Sequence, residues 1–225
     1  MARLVLKDLS SYPKYSTSDP LRFYYYPIVG KLYRQRVEAC LDQLGGGDRI
    51  LEVGFGSGLC LHNLCEMYEE VHGVDLDAPV EAVSKFATAN GLAVQLANGN
   101  VTDLIYPDEY FEAVLLISIL EHLRSDELEQ AMKEIKRVLK PGGQIVFGVP
   151  IESRFMSLAF RILGYDIKKL HFSSHIDVNY AAAKHFHQEK SFFLKHPLFP
   201  GAPIYQIGSF RKAIDQKTRR TSADA

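Results

Sequence analysis

The residues best placed to do chemistry lie in the first half of the chain. Glu52-Val-Gly54-Phe-Gly56-Ser-Gly58 alternates glycine with other residues and puts a carboxylate two positions before the first glycine. Glycine lets a backbone turn sharply and lets a ligand approach main-chain N–H groups. A dinucleotide fingerprint needs G-x-G-x-x-G to set a pyrophosphate on a helix N-terminus. Here the third glycine comes one residue early, and Leu59 holds the expected place. A carboxylate at position 52 would not help to hold a pyrophosphate, but it suits a ligand with a cationic ammonium group. About twenty residues past the loop comes Asp75, where a carboxylate can hold a ribose diol. Asp77 beside it reads as an N-cap for the helix that follows Pro79.

The elements that must position these groups are legible as a rhythm. Residues 28–44 have helical apolar spacing, stopped by Gly45-Gly46-Gly47. Short apolar runs at Arg49–Gly54, Val71–Asp75, Val94–Ala97, Ala113–Ser118 and Gln144–Val149 read as strands. Helices are expected at Ser57–Tyr68, Pro79–Asn90 and Asp126–Leu139, the last closed by Pro141-Gly142-Gly143. Continuous apolar strands alternating with helices predict a parallel sheet covered on both faces. After Pro150 a helix is expected at Phe155–Leu163, an irregular stretch at Gly164–Asp177 and a helix at Val178–Phe186. Two strands then follow at Gln188–His196 and Ile204–Lys212, the second a hairpin partner of the first.

Four segments in order, Ile50–Gly58, Val71–Asp77, Gly99–Glu121 and Glu134–Val149, resemble class I S-adenosylmethionine-dependent methyltransferases. The likeness is to the small-molecule group related to ubiquinone- and menaquinone-pathway enzymes, over about residues 48–150. It implies an α/β, Rossmann-like, doubly wound fold with a mostly parallel seven-stranded sheet and a C-terminal antiparallel hairpin strand. It also implies a methyl donor, S-adenosylmethionine, with S-adenosylhomocysteine as product. By the same resemblance Glu52, Gly54, Gly56 and Gly58 cradle the methionine part, and Asp75 with Leu76 meets the ribose. Asn100 with Val101 meets the adenine, and Ile117 with Ser118 lines the methyl-transfer site. The family usually has Asp where this chain has Asn100, whose amide oxygen can still accept from the adenine amino group.

The acceptor side is read from Ser118-Ile-Leu-Glu121-His122 and from His171-Phe-Ser-Ser-His175. In some ubiquinone-pathway O-methyltransferases a Glu three residues before such a Glu-His pair completes a metal site. Ser118 stands there, so no metal is expected. His122 and His175 are the base candidates, needed only if the nucleophile must lose a proton. Phe-Ser-Ser before Asp177 reads as a loop leading to a helix cap. Tyr12, Tyr15, Phe23, Tyr24, Tyr25 and Tyr26 either pack the N-terminal stretch on the core or form a lid over an apolar acceptor. Phe155, Met156, Phe160, Ile162 and Leu163 either supply another wall or, on their helical spacing, pack in the core.

The 225 residues carry 26 Lys and Arg against 27 Asp and Glu, so no global field draws in nucleic acid or an anionic membrane. The Asn/Asp-Pro-Pro-aromatic motif of base-amino methyltransferases is missing after the fourth strand. A small-molecule acceptor is therefore expected, and nucleic acid is not. Three cysteines, Cys40, Cys60 and Cys65, form no C-x-x-C pair and fit a reducing cytosol. No secretory signal or membrane span is expected, which fits a cytoplasmic place. The domain expectation is a lid or helical segment over 1–47, a core over 48–213 with an insert near 151–177, and a flexible tail over 214–225. Two other functions share the strand–glycine-loop–helix start: an NAD(P)-dependent reductase, and a catalytically silent S-adenosylmethionine-binding partner protein. Oligomeric state is left open.

Overall fold

The computed structural model describes residues 2–13, 20–27, 29–151, 172–195 and 203–214. His171, Tyr15 and the wall expected at 155–163 lie outside them, as does most of the expected insert and of the tail.

Seven strands form one sheet: β1 Gly47–Val53, β2 Tyr68–Asp75, β3 Val94–Asn98, β4 Phe111–Ile117, β5 Leu139–Pro150, β6 His187–Lys195 and β7 Pro203–Arg211. Their order is β3-β2-β1-β4-β5-β7-β6. β1 pairs in parallel with both β2 and β4, and β4 with β5. β7 runs antiparallel between β5 and β6. The apolar runs form central strands because both faces are covered. Ile50, Leu51, Val114 and Leu115 are fully buried. One core packs Leu51, Val53, Leu116 and Phe147 under α4 Ser125–Val138 and α5 His175–His185. The other packs Ile50, Leu115 and Val146 under α1 Val29–Leu41, α2 Leu61–Met67 and α3 Val80–Ala89.

The structure differs from expectation at the joints. α2 starts at Leu61 rather than Ser57, because Gly54, Gly56 and Gly58 all take positive φ and prolong the loop. Pro141-Gly142-Gly143 is not a break between helix and strand. The chain is already extended at Leu139, which pairs with Phe111, and the register then shifts so that Gln144 faces Ala113. α5 begins a turn early, at His175. Ser174 Oγ accepts from Asp177 N (3.3 Å), and Asp177 Oδ2 accepts from Ser174 N (2.9 Å). That reciprocal cap is what the Ser-Ser-x-x-Asp spacing encoded.

Candidate functional site

Strand order reverses between β1 and β4, and a cleft of about 520 Å³ opens beyond their carboxyl ends. Open α/β sheets place their ligands at such a switch point. Glu52, Gly54 and Gly56 enter the cleft from the end of β1, and Asp75 with Leu76 from the end of β2. Asn100 and Val101 come from beyond β3, and Ile117, Ser118 and His122 from beyond β4. Gly58 is not among the lining residues. A side chain there would meet Leu61 and Val83, so this glycine serves close packing of the loop on α2 and α3. His175 does not line the cleft either; its ring meets Phe193, centroid to centroid at 6.5 Å.

Glu52 is 5% exposed and its Oε2 has no hydrogen-bond partner. Burial pushes its carboxyl up to about 8, against a hydrogen bond from the Cys60 thiol, and the nearby Asp75 carboxylate adds to the rise. The chain thus keeps an acid poised between charged and neutral in the cleft wall. A cation arriving there would ionise it.

Asp75 organises the loops. Its Oδ2 accepts from Gly56 N at 2.9 Å, and its Oδ1 accepts from Asp77 N at 3.0 Å and Ala78 N at 2.9 Å. This corrects the role expected for Asp77. The residue before α3 is Pro79, with no side-chain cap, and Asp75 satisfies the amides ahead of the helix. Asn100 Oδ1 accepts from Thr102 N at 3.0 Å and so is partly committed to its own turn.

Ser118 holds φ 57°, uncommon for a residue with a side chain. Its N–H donates to Gly148 O (2.8 Å) and its Oγ pairs with the Tyr205 hydroxyl (2.9 Å). Glu121 is 2% exposed, with Oε2 unpartnered, and burial lifts its carboxyl to about 8. Neighbouring His122 is exposed at the rim. The N-terminal aromatics divide. Tyr12 stacks on Phe86 at 4.7 Å as packing, while buried Tyr24 reaches the cleft wall with Pro20 and Leu21. Arg36 of α1 also lines the cleft. Nothing in its helical setting marked it, since a basic residue on a helix ordinarily reads as a solvated charge.

Residues 51–147 match the family described as a methyltransferase domain. An uncharacterized methyltransferase of Bacillus subtilis (strain 168) is 34% identical over 110 residues, covering 46% of this chain and 58% of that protein. Over residues 51–147 the chain is similar to class I S-adenosylmethionine-dependent methyltransferases. A ubiquinone biosynthesis O-methyltransferase of Alkalilimnicola ehrlichii is 31% identical over 134 residues, covering 57% of this chain and 53% of that one. The chain therefore spans little more than half the length of these curated relatives. Among solved structures, a geranyl diphosphate methyltransferase in complex with S-adenosylmethionine superposes with a TM-score of 0.68 at 17% identity, covering 94% of this chain and 97% of that one. At that identity the likeness concerns the methyltransferase fold.

Proposed function

We propose that this chain binds S-adenosylmethionine at the β1–β4 switch and moves its methyl group to O, N or C of a small, apolar or aromatic acceptor. The observation that carries this is Glu52: a buried carboxyl, its Oε2 without a partner, in a glycine-rich strand end and matched to an ammonium group. When bound, the cofactor supplies a methyl already activated on a sulfonium. Glu52 would hold the amino-acid end, and Gly56 leaves room for a ligand beside its backbone, while Gly54 makes room for the Ile119 side chain. Asp75 would accept from ribose hydroxyls, with Leu76 and Val101 flanking the base and Asn100 at its edge. Ile117, Ile119 and Ser118 wall the reacting end and exclude water. His122 at the rim is the base candidate for an acceptor that must lose a proton. His175, outside the cleft lining, is the weaker candidate on geometry. The ubiquinone-pathway name of one relative supports a small-molecule acceptor.

Calorimetry with S-adenosylhomocysteine tests the donor half directly. Wild type should bind, and Asp75→Ala should weaken binding at least about tenfold, because a charged hydrogen-bond acceptor and the loop anchor are both lost. Equal affinity in the two proteins would remove Asp75 from the site. Transfer of labelled methyl from S-adenosylmethionine to a panel of phenols, amines and activated carbon acids would then identify the reacting atom.

A further inference from the structure

Ser118, the residue after β4, lines the cleft with a left-handed backbone, φ 57°. A residue with a side chain keeps such a backbone only where its surroundings impose it. Here β5 and β7 both impose it. The Ser118 N–H donates to Gly148 O of β5 at 2.8 Å, and its Oγ lies 2.9 Å from the Tyr205 hydroxyl of β7. Tyr205 is buried and sits opposite Pro150 in the β5–β7 pairing. A Cβ at Gly148 would stand 2.5 Å from Tyr205 Cε1 and 2.7 Å from its hydroxyl, so that glycine makes room for the phenol.

Two hydroxyls that share one hydrogen bond keep one O–H and several lone pairs to spare. Burial lifts the Tyr205 phenol well above its ordinary value, so it stays an O–H near neutral pH. Among the described residues neither hydroxyl has a second partner. Ser118 is the member of the pair that lines the cleft.

Strand order says what the pair faces. The side chains assigned to the donor, Glu52, Asp75 and Asn100, come from the ends of β1, β2 and β3, whereas β4, β5 and β7 follow on the other side of β1. The Ile119 side chain fills the space that a Cβ on Gly54 would need, so the chain just past Ser118 lies directly on the glycine loop. Ser118 thus stands where the donor's half of the cleft meets the other half. A sulfonium methyl has neither an N–H or O–H nor a lone pair to offer a hydroxyl, so the pair serves the molecule that attacks it.

We propose that Ser118 is the contact for a hydroxyl or amine at the reacting end of the acceptor, and that Tyr205 is the positioning residue that aims it. This rests on the methyltransferase reading above and narrows it: the acceptor presents an O–H or N–H beside the methyl. Ile117, Ile119 and Leu123 supply the apolar wall around that group.

Phenol and toluene, alike in size and different in the hydroxyl, are the probes. Saturation-transfer NMR is run on the full chain loaded with S-adenosylhomocysteine. Phenol should give a signal at least about threefold that of toluene, as a neutral hydrogen bond allows. Tyr205→Phe keeps the ring and should cut that ratio at least about twofold, a change that loss of packing alone would not make. Its affinity for S-adenosylhomocysteine should stay within about twofold, which also shows that it folds. Ser118→Gly removes the contact itself and relieves the left-handed backbone, so it should bring the ratio near one. If Tyr205→Phe does not fold, Ser118→Gly decides. The proposal is overturned by equal signals from the two probes in wild type, by no phenol signal, or by an undiminished ratio in either variant. A tenfold loss of S-adenosylhomocysteine affinity in Tyr205→Phe, which would give the hydroxyl pair to the donor, also overturns it. Wild type failing to bind S-adenosylhomocysteine at all would instead sink the methyltransferase reading beneath it.

Discussion

At the scale of single residues, Glu52 makes a sharp demand on ligand binding. Its carboxyl sits at about 8 without a ligand, so near neutral pH much of it is protonated. Pairing with an ammonium requires the charged form, so binding must release a proton. Affinity for S-adenosylhomocysteine should therefore rise as pH rises from 6 to 8. Calorimetry in buffers of different ionisation enthalpy should show net proton release. Glu52→Gln cannot ionise, so it should lose both the release and about 1.5–3 kcal/mol of binding, the worth of a charged hydrogen bond. A pH-independent affinity would show that no cation meets this carboxyl. Glu52 was legible because its type and distance from the glycines were unusual for a pyrophosphate site. Arg36 was not. Helical spacing shows which side of α1 is apolar, but only the tertiary fold turns that position into the cleft.

At the scale of elements, the glycine loop separates two roles that look alike in sequence. A Cβ on Gly54 would drive into the Ile119 side chain, and its φ is +80°. A Cβ on Gly56 would meet nothing within 4 Å, although its φ is +52°. Gly54→Ala should therefore destabilise the fold by about 1–3 kcal/mol, from strain and clash together. Gly56→Ala should cost only about 1–2 kcal/mol, the left-handed penalty, and should weaken S-adenosylhomocysteine binding more than it weakens the fold. Urea melts beside calorimetry separate the two. Equal stability losses in both variants would defeat the distinction. Central strands such as β1 and β4 were readable because a strand buried on both faces must be continuously apolar. The extended start of β5 was hidden, because Pro-Gly-Gly ordinarily marks a break and here it sits inside a register shift opposite Glu112. The resemblance groups Gly58 with Gly54 and Gly56 as a ligand glycine, while its neighbours in the fold are Leu61 and Val83.

At the scale of the whole molecule, two buried acids weigh on stability in the same direction. Burial raises Glu52 and Glu121 each to about 8, against about 4.3 in an unfolded chain. Between those values the native state holds protons that the unfolded state has released. The stabilisation they give is complete below the unfolded value and is lost as pH climbs through 8. His62 and His72 work oppositely. Burial lowers both, so they favour the fold as pH rises through the histidine range. Above about pH 6.5, the ordinary histidine value, their contribution is nearly level, and the acids decide the slope. The unliganded melting temperature should therefore fall from pH 6.5 to 8. Glu52→Gln and Glu121→Gln should each flatten part of that fall, and the double variant most of it. Saturating S-adenosylhomocysteine should act differently from either substitution. It pairs Glu52 in its charged form, which removes that acid's share of the slope, and it adds stability by mass action. At a hundred times Kd that addition is about 2.7 kcal/mol, or roughly 5–10 °C for a chain of this size. Scanning calorimetry across pH 6.5–8, with and without S-adenosylhomocysteine, reads both effects. A slope unchanged in the double variant would mean that these carboxyls do not govern the molecule's response to pH.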